Sequence, residues 1–426
     1  MEHPLSSSGA SLCPQCKAFL PEHHGFVTWC DQCDWNVDPS VKEPLSLYER
    51  LYRKAGRASG RRTLAALIKN GELKPVFSLR RLIMYFLCAV VHLISLVLML
   101  AGLYVLYTTR LSLVPAVLGS LLLLLAWMTR PRFHRMKDTP LSREEFPVTY
   151  QVVDEIAASL NARSVSGIVP WAAYNAAFGQ YGPRRKSYLF LGIPLLSVLN
   201  KQEWVALLSH EIGHGMNGDP NRGLFFNSAI NTLTVWHSII RPERILGSDG
   251  YSFTILFMIP VNLMLLLLSK GVHLFLALLC HLNWLDSQRA EFLADRIAVE
   301  GAGKEAKLGL LHKLSLNSLF EFCVRKTINT RNTSPLLDEF ARQAAALPER
   351  EHERLRRAAR LEGSCLDNTH PPTADRIAFM ESLPDREPAY RLSDDQFRRM
   401  KRELFSMQGD VERLILEDYR SNVLGY

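Results

Sequence analysis

Leu207–Asp219 reads LLSHEIGHGMNGD, two histidines four residues apart with a glutamate directly after the first. On a helix, positions i and i+4 share a face one turn apart, so His210 and His214 offer two imidazole nitrogens to one cation. Glu211 reaches a water on that ion rather than the ion itself, and takes its proton as the water attacks a carbonyl. Glu203–Leu208, EWVALL, is helix-forming, and Asn217-Gly218-Asp219-Pro220 reads as a stop. A core helix with satisfied histidines is the alternative for these five residues alone, so the metal reading needs a third ligand.

One class of zinc enzyme places a third histidine six residues past the second, but that position is Pro220. The other class uses a glutamate from a later helix. DSQRAEFLADRIAVE, Asp286–Glu300, has helical apolar periodicity and carries Glu291 and Asp295, again four apart. Glu291 completes a His-His-Glu set with a position open to water. Asp295, one turn on, is placed to accept the second ring N–H of a ligand histidine and fix its tautomer. Both sit among Ala290, Phe292, Leu293 and Ala294, where bare charges need partners.

These blocks, with THPPTADRI (Thr369–Ile377), resemble the three signature blocks of the HtpX and CAAX-prenyl-protease family of integral-membrane zinc metallopeptidases. YNAAFGQYG (Tyr174–Gly182) and the following strand are similar to the family's Asn-Ala-Phe strand and its neighbour, with one alanine more than the usual pattern. The resemblance runs from about Pro140 to about Leu383. It implies zinc held by His210, His214 and Glu291, Glu211 as general base, and His370 and Arg376 near the catalytic centre, polarising the scissile carbonyl or holding substrate. Strands near Tyr174–Gly179 and Ser187–Leu191 are expected to form an edge, with Asn175 and Phe178 on it, along which a substrate peptide adds as an extra strand.

Apolar residues are concentrated. LIMYFLCAVVHLISLVLMLAGLYVLY, Leu82–Tyr107, is long enough to cross a bilayer, and Leu111–Met128 follows after Thr108, Thr109 and Arg110, making a transmembrane hairpin. Lys74, Arg80 and Arg81 precede it and Arg130, Arg132, Arg135 and Lys137 follow, which puts both flanks and the catalytic segment in the cytoplasm. Much of the +8 net charge lies in these flanks and in RLYRKAGRASGRR, Arg50–Arg62, read as a juxtamembrane basic segment facing anionic lipid or a solvated linker. No nucleic-acid partner is expected, because topology already accounts for the basic residues. The first residues lack the apolar core of a signal peptide, so the first span is expected to direct insertion.

Between the two halves of the metal site lie Gly223–Ile240, apolar but interrupted by Asn227, Asn231, Thr232, Thr234 and His237, and the strongly apolar Tyr251–Leu285. The ligand helices must meet on one side of the membrane, so an even number of crossings separates them. Either Gly223–Ile240 goes out and Phe253–Leu268 returns, as the family resemblance implies, or Phe253–Leu268 and Val272–Leu285 form a hairpin turning at Ser269-Lys270-Gly271. The charges in RPER, Arg241–Arg244, favour the second.

CPQC and CDQC place Cys13, Cys16, Cys30 and Cys33 in a CxxC–x13–CxxC pattern, the spacing of a closed tetrahedral zinc ribbon. A disulfide framework conflicts with the cytoplasmic placement. Cys88, Cys280, Cys323 and Cys365 are scattered. So small a ribbon has too little core to fold without zinc, and is expected to bind substrate or a partner.

The expected architecture is a mainly α integral membrane protein with a zincin-like α+β metalloprotease domain, a small edge sheet and transmembrane helices. Its parts are a ribbon (1–39), a basic linker (40–78), a transmembrane hairpin (79–130), the protease domain (140–383, with a membrane insertion at about 223–285) and a C-terminal helical tail (384–426). LPEREHERLRRAARLEG, Leu347–Gly363, reads as a solvated charged helix. The expected activity is zinc endopeptidase action on membrane or misfolded proteins at the cytoplasmic face, with one catalytic and one structural zinc, protein or peptide substrates and a lipid bilayer as partners. A prenyl-peptide protease of the CAAX type and a non-proteolytic zinc-binding membrane adaptor are the alternatives; Glu211 argues against the adaptor, since a structural site needs no base beside its ligand.

Overall fold

The computed structural model describes residues 11–21, 25–39, 47–70, 79–108, 112–131, 136, 138–182, 184–216, 219–240, 254–330, 334–361 and 371–424. In chain order these form a short antiparallel pair, β1 (Ser11–Leu12) and β2 (Phe19–Leu20), and then helices α1 (Leu47–Asn70), α2 (Leu79–Thr108), α3 (Leu113–Thr129) and α4 (Pro147–Ser159). Strands β3 (Gly167–Trp171), β4 (Ala176–Tyr181) and β5 (Lys186–Gly192) follow, then the single turn α5 (Ile193–Leu196), α6 (Lys201–Met216), α7 (Asp219–Ile240) and α8 (Thr254–Ala302). The rest is helical: α9 (Lys304–Leu314), α10 (Asn317–Asn329), α11 (Leu336–Ala345), α12 (Glu349–Leu361), α13 (Thr373–Ser382), α14 (Asp394–Phe405) and α15 (Gln408–Tyr419).

Helix α6 starts on a reciprocal cap. Asn200 Oδ1 accepts from the backbone N–H groups of Gln202 and Glu203, at 3.0 and 2.9 Å, while Glu203 Oε2 accepts from Asn200 N at 2.7 Å. Two of the helix's orphan donors and the cap's own N–H are thereby satisfied. Trp204, Val205, Ala206, Leu207, Leu208 and Ile212 are all buried, so α6 is the central helix of the core. It lies directly against α8. A Cβ added at Gly213 would fall 3.2 Å from Ala294 Cα, and one at Gly301 only 2.3 Å from the buried Ser209 Oγ. Two positions without side chains therefore let these backbones approach closely, and that approach faces the histidines of one helix toward the carboxylates of the other.

The sheet has the order β3-β5-β4, with β5 parallel to β3 and antiparallel to β4. Of the two expected strands, β4 is an edge and β5 is central, paired on its other side with β3. β3 is a third strand beyond the two expected; Pro170 within it is tolerated because β3 is itself an edge.

The second hydrophobic region differs from the favoured expectation. α8 runs unbroken from Thr254 to Ala302, so the hairpin turning at Ser269-Lys270-Gly271 does not form. None of those residues forbids a helix, and one interior glycine costs only about 1 kcal/mol, less than opening a helical turn among apolar neighbours. α7 packs beside α8, with Ala229 and Leu233 joining Met84, Cys88 and Val91 of α2 in one apolar cluster. The RPER segment lies outside the described residues.

Among the described residues, two helices, α2 and Pro260–Ala302 of α8, are long and apolar enough to cross a membrane, and α3 is a shorter apolar helix. α2 and α3 pack against each other, and Gly102 and Gly119 face each other across the contact. The basic segment is helical as α1, and Leu64 and Leu67 pack against Phe292, Phe379 and Leu383. Residues 384–424 do not trail from the domain. Glu403 accepts from Val148 N, Thr149 N and Thr149 Oγ1 at 3.0, 2.8 and 2.7 Å, capping α4, while Met400, Leu404, Val411 and Ile415 join the main core.

Candidate active site

His210 and His214 project from one face of α6 with ring centroids 4.9 Å apart and ring planes near perpendicular. Across the interface, Glu291 of α8 brings Oε2 to 3.6 Å from His210 Nε2 and Oε1 to 3.5 Å from His214 Nε2. Metal–ligand bonds of about 2.0–2.1 Å at tetrahedral angles put ligand atoms about 3.3–3.4 Å apart; the two His–Glu spacings are close to that and one donor atom of each residue lies within 4.8 Å of the others, so the three can take corners of one coordination tetrahedron. They fit a divalent ion with two neutral nitrogens and one carboxylate. Glu211, buried beside them, lines the same cleft.

Behind the ligands is a buried charge cluster. Asp295 Oδ1 lies 3.2 Å from His210 Nδ1, receives Arg376 Nη2 at 2.6 Å and Lys307 Nζ at 2.9 Å, while Oδ2 receives Arg376 Nε at 2.7 Å. Burial works against the charge on Asp295, but Arg376 and Lys307 outweigh it and hold the carboxyl well below its usual range. Burial also works against Arg376, whose pKa is nonetheless raised by Asp295, then Glu291 and Glu211. His210 is pushed down to about 3, first by burial and then by the Lys307 charge, so its imidazole is neutral, the form a metal requires.

The resemblance offered Arg376 for the scissile carbonyl; its guanidinium lines the cleft with Nε and Nη2 turned to Asp295. His370 lies outside the described residues. Asn175, exposed just ahead of β4, and Phe178, within it, both line the cleft; Phe178 packs over Gly215 of the active-site helix. Lys307 was missed. It is fully buried, 3.1 Å from His210 Nδ1, and its burial depresses its pKa against the pull of Asp295. A signal existed, because Lys307 shares the apolar face of α9 with Leu310, Leu311 and Leu314, where a lysine needs a buried partner.

Cys13, Cys16, Cys30 and Cys33 form a second cluster whose sulfurs all lie within 4.8 Å of one another. Sγ atoms of Cys13 and Cys33, and of Cys16 and Cys30, are 3.5 Å apart, and all four thiols are free. Zinc–sulfur bonds of about 2.3 Å give a sulfur spacing of about 3.8 Å, whereas a disulfide requires about 2.0 Å. The two CxxC turns are built alike: Cys13 N bonds Ala18 O and Cys30 N bonds Trp35 O, with Lys17 and Asp34 at positive φ. α12, expected as a solvated helix, docks this unit. Arg350 Nη2 donates to Trp29 O at 2.8 Å, Arg354 Nη1 to Val37 O at 2.6 Å and Arg357 Nη1 to Asp34 Oδ1 at 2.9 Å. Arg350 and Arg357 also lie over the Trp29 ring.

A His-His-Glu constellation with an adjoining carboxylate, built across two packed helices beside a sheet edge, is the arrangement of a metalloprotease. Residues 148–383 match the family described as peptidase family M48, and the chain belongs to that family. It is similar to a protein named Protease HtpX homolog from Pyrobaculum calidifontis, at 25% identity over 56% of this chain and 68% of that one. A protein of the same name from Methylacidiphilum infernorum is 26% identical over 61% of this chain and 79% of its own length. No solved structure matches the chain.

Proposed function

We propose that this metalloprotease is a membrane-embedded zinc endopeptidase that cleaves membrane or misfolded proteins at the cytoplasmic face. The observation that carries the reading is the convergence of His210 Nε2, His214 Nε2 and the Glu291 carboxylate within one cleft that also holds Glu211. α2–α3 and the α7–α8 pair are assigned to the bilayer. Arg80 and Arg81 at the start of α2 and Arg130 after α3 support a cytoplasmic site by the positive-inside rule.

In this reading His210, His214 and Glu291 hold the catalytic zinc, and Cys13, Cys16, Cys30 and Cys33 hold a structural one. Bound zinc supplies Lewis acidity, which polarises a carbonyl and makes water nucleophilic near neutral pH. The substrate adds as an extended strand on the free edge of β4, beside Asn175 and Phe178. Glu211 takes the proton of the attacking water and returns it to the leaving amine. Asp295 accepts the Nδ1–H of His210, which fixes the tautomer that leaves Nε2 for the metal. Arg376 and Lys307 act through Asp295, as positioning residues. The ribbon, seated on α12, is a module for recruiting substrate or a partner.

The test compares zinc-loaded wild type with Glu211→Gln, both in detergent, on an unfolded model protein and on the chain itself. The expected result is a loss of about 10²–10⁴-fold in cleavage with zinc content unchanged. Equal rates at full zinc occupancy would leave only a structural metal site.

A further inference from the structure

The charge on α1 has no part in the chemistry above. Arg50–Asn70 contains seven Lys and Arg residues and no Asp or Glu. Arg50, Lys54, Arg57 and Arg61 follow one another at spacings of four, three and four, so they form one stripe along the helix, which Arg62 and Lys69 widen. All six side chains are exposed, and none is in an ion pair among the described residues. α12 shows the contrast. Its arginines are matched within the helix, Arg354 to Glu351, and Arg356 and Arg357 to Glu353. α1 carries one sign only, and like charges one turn apart repel, so its outer face is stabilised by an anionic surface laid against it.

The other side of the same helix is occupied. Gly56, Gly60, Thr63 and Leu67 are buried there, and Leu67, with Leu64, packs on Phe292 and Phe379. Phe292 directly follows the ligand Glu291, and Phe379 lies one turn beyond Arg376; the two rings meet edge to face at 5.2 Å. The buried face of α1 therefore rests on both helices that carry these site residues, and its basic face is turned outward. Eight residues, 71–78, separate α1 from α2, and an extended chain of that length reaches at most about 30 Å. α2 is a candidate span and opens on the exposed Arg80. α1 is thus tethered within reach of the leaflet that α2 enters, where phosphate headgroups supply the complementary charge. Nucleic acid offers the same charge without the tether.

We infer that α1 is an anionic-lipid clamp: its basic face lies on the phosphate headgroups of the cytoplasmic leaflet, while Leu64 and Leu67 hold the same helix on Phe292 and Phe379. Lipid charge then steadies the wall behind Glu291 and Arg376. This rests on the membrane-protease reading above and adds to it a dependence on the lipid that surrounds the enzyme.

The experiment uses the full-length, zinc-loaded chain in nanodiscs of phosphatidylcholine, with and without phosphatidylserine. Amide hydrogen exchange is read over α1 and α13, and cleavage on a soluble unfolded protein. Phosphatidylserine is expected to slow exchange in α1 by at least about fivefold, the weight of one cation at an anionic surface, to slow exchange in α13, and to speed cleavage. Arg57→Glu combined with Arg61→Glu removes all three responses, with exchange in α6 and cleavage in phosphatidylcholine discs at the wild-type level. Leu67→Ala keeps the response of α1 and loses that of α13. Exchange in α1 that ignores phosphatidylserine overturns the clamp, and its protection by added RNA instead makes the face a nucleic-acid surface. A response of α1 without one in α13 overturns the link to the metal site. Both exchange responses with no cleavage in either disc keep the clamp and overturn the protease reading, which separates the two failures.

Discussion

Arg376 grips Asp295 with two hydrogen bonds, 2.7 Å from Nε and 2.6 Å from Nη2, and through that carboxylate helix α13 reaches His210. The fork is planar and bidentate, which lysine does not reproduce. Arg376→Lys is therefore expected to weaken zinc binding about 10–100-fold, the usual effect of losing an outer partner of a ligand histidine. Asp295→Asn goes further, because Lys307 and Arg376 are then left buried beside a neutral group, at a cost of about 3–5 kcal/mol. Competition with a chromophoric chelator and thermal unfolding measure the two effects separately.

The approach of α6 to α8 makes Gly213 a gauge of site geometry. Gly213→Ala gains about 1 kcal/mol of helix propensity, but its Cβ meets Ala294 and Ile297 at 3.2–3.3 Å, so the helices part by a few tenths of an ångström. Stability near wild type with weaker zinc binding is the expected outcome. Gly213→Val overpacks the interface by about 1–3 kcal/mol, and both quantities fall. If both variants bind zinc like wild type, the close approach does not set the metal geometry.

On the proposal that Cys13, Cys16, Cys30 and Cys33 hold zinc, removing that ion is expected to release the N-terminal unit from α12. Structural zinc supplies about 10–16 kcal/mol of binding free energy in small fingers, and a core of Cys13, Leu20 and Cys30 cannot replace that. In Cys30→Ser, amide hydrogen exchange should rise across residues 25–39 and over Glu349–Leu361, while α6 stays protected. Exchange confined to the ribbon would mean that the arginines of α12 hold their places without it.

The α2–α3 hairpin depends on the facing glycines. A Cβ at Gly119 would lie 2.7 Å from Leu106 Cγ and 3.1 Å from Gly102 O. Gly119→Leu is expected to cost about 1–3 kcal/mol, read as a lower unfolding midpoint in detergent, while Leu118→Ala on the exposed face of the same helix should change little.

Several features were legible because their signals are local. The spacing of His210 and His214, the Glu291–Asp295 pair, the two CxxC turns and the apolar run of α2 each follow from helical or turn geometry within a few residues. Ser269-Lys270-Gly271 misled for the same reason, since three turn-prone residues compete with the cooperativity of a 49-residue helix that no short window contains. Lys307 was overlooked because the apolar face that marks it shows only over the whole of α9, and its partner Asp295 comes from another helix. The arginines of α12 read as solvated because their acceptors are carbonyls more than 300 residues away in the chain.

By itself, then, the sequence determined the chemistry on offer: a His-His-Glu donor set with a base beside it, four thiols at ribbon spacing, and helices apolar enough for a membrane. Only the tertiary structure decided how these are used. It set α6 against α8 through two glycines, enclosed Asp295 with two cations and placed β4 at an edge of the sheet beside the cleft. Those outcomes depend on burial and on pairing between distant segments, and the energy of a buried charge or a packed glycine exists only once its partner has arrived.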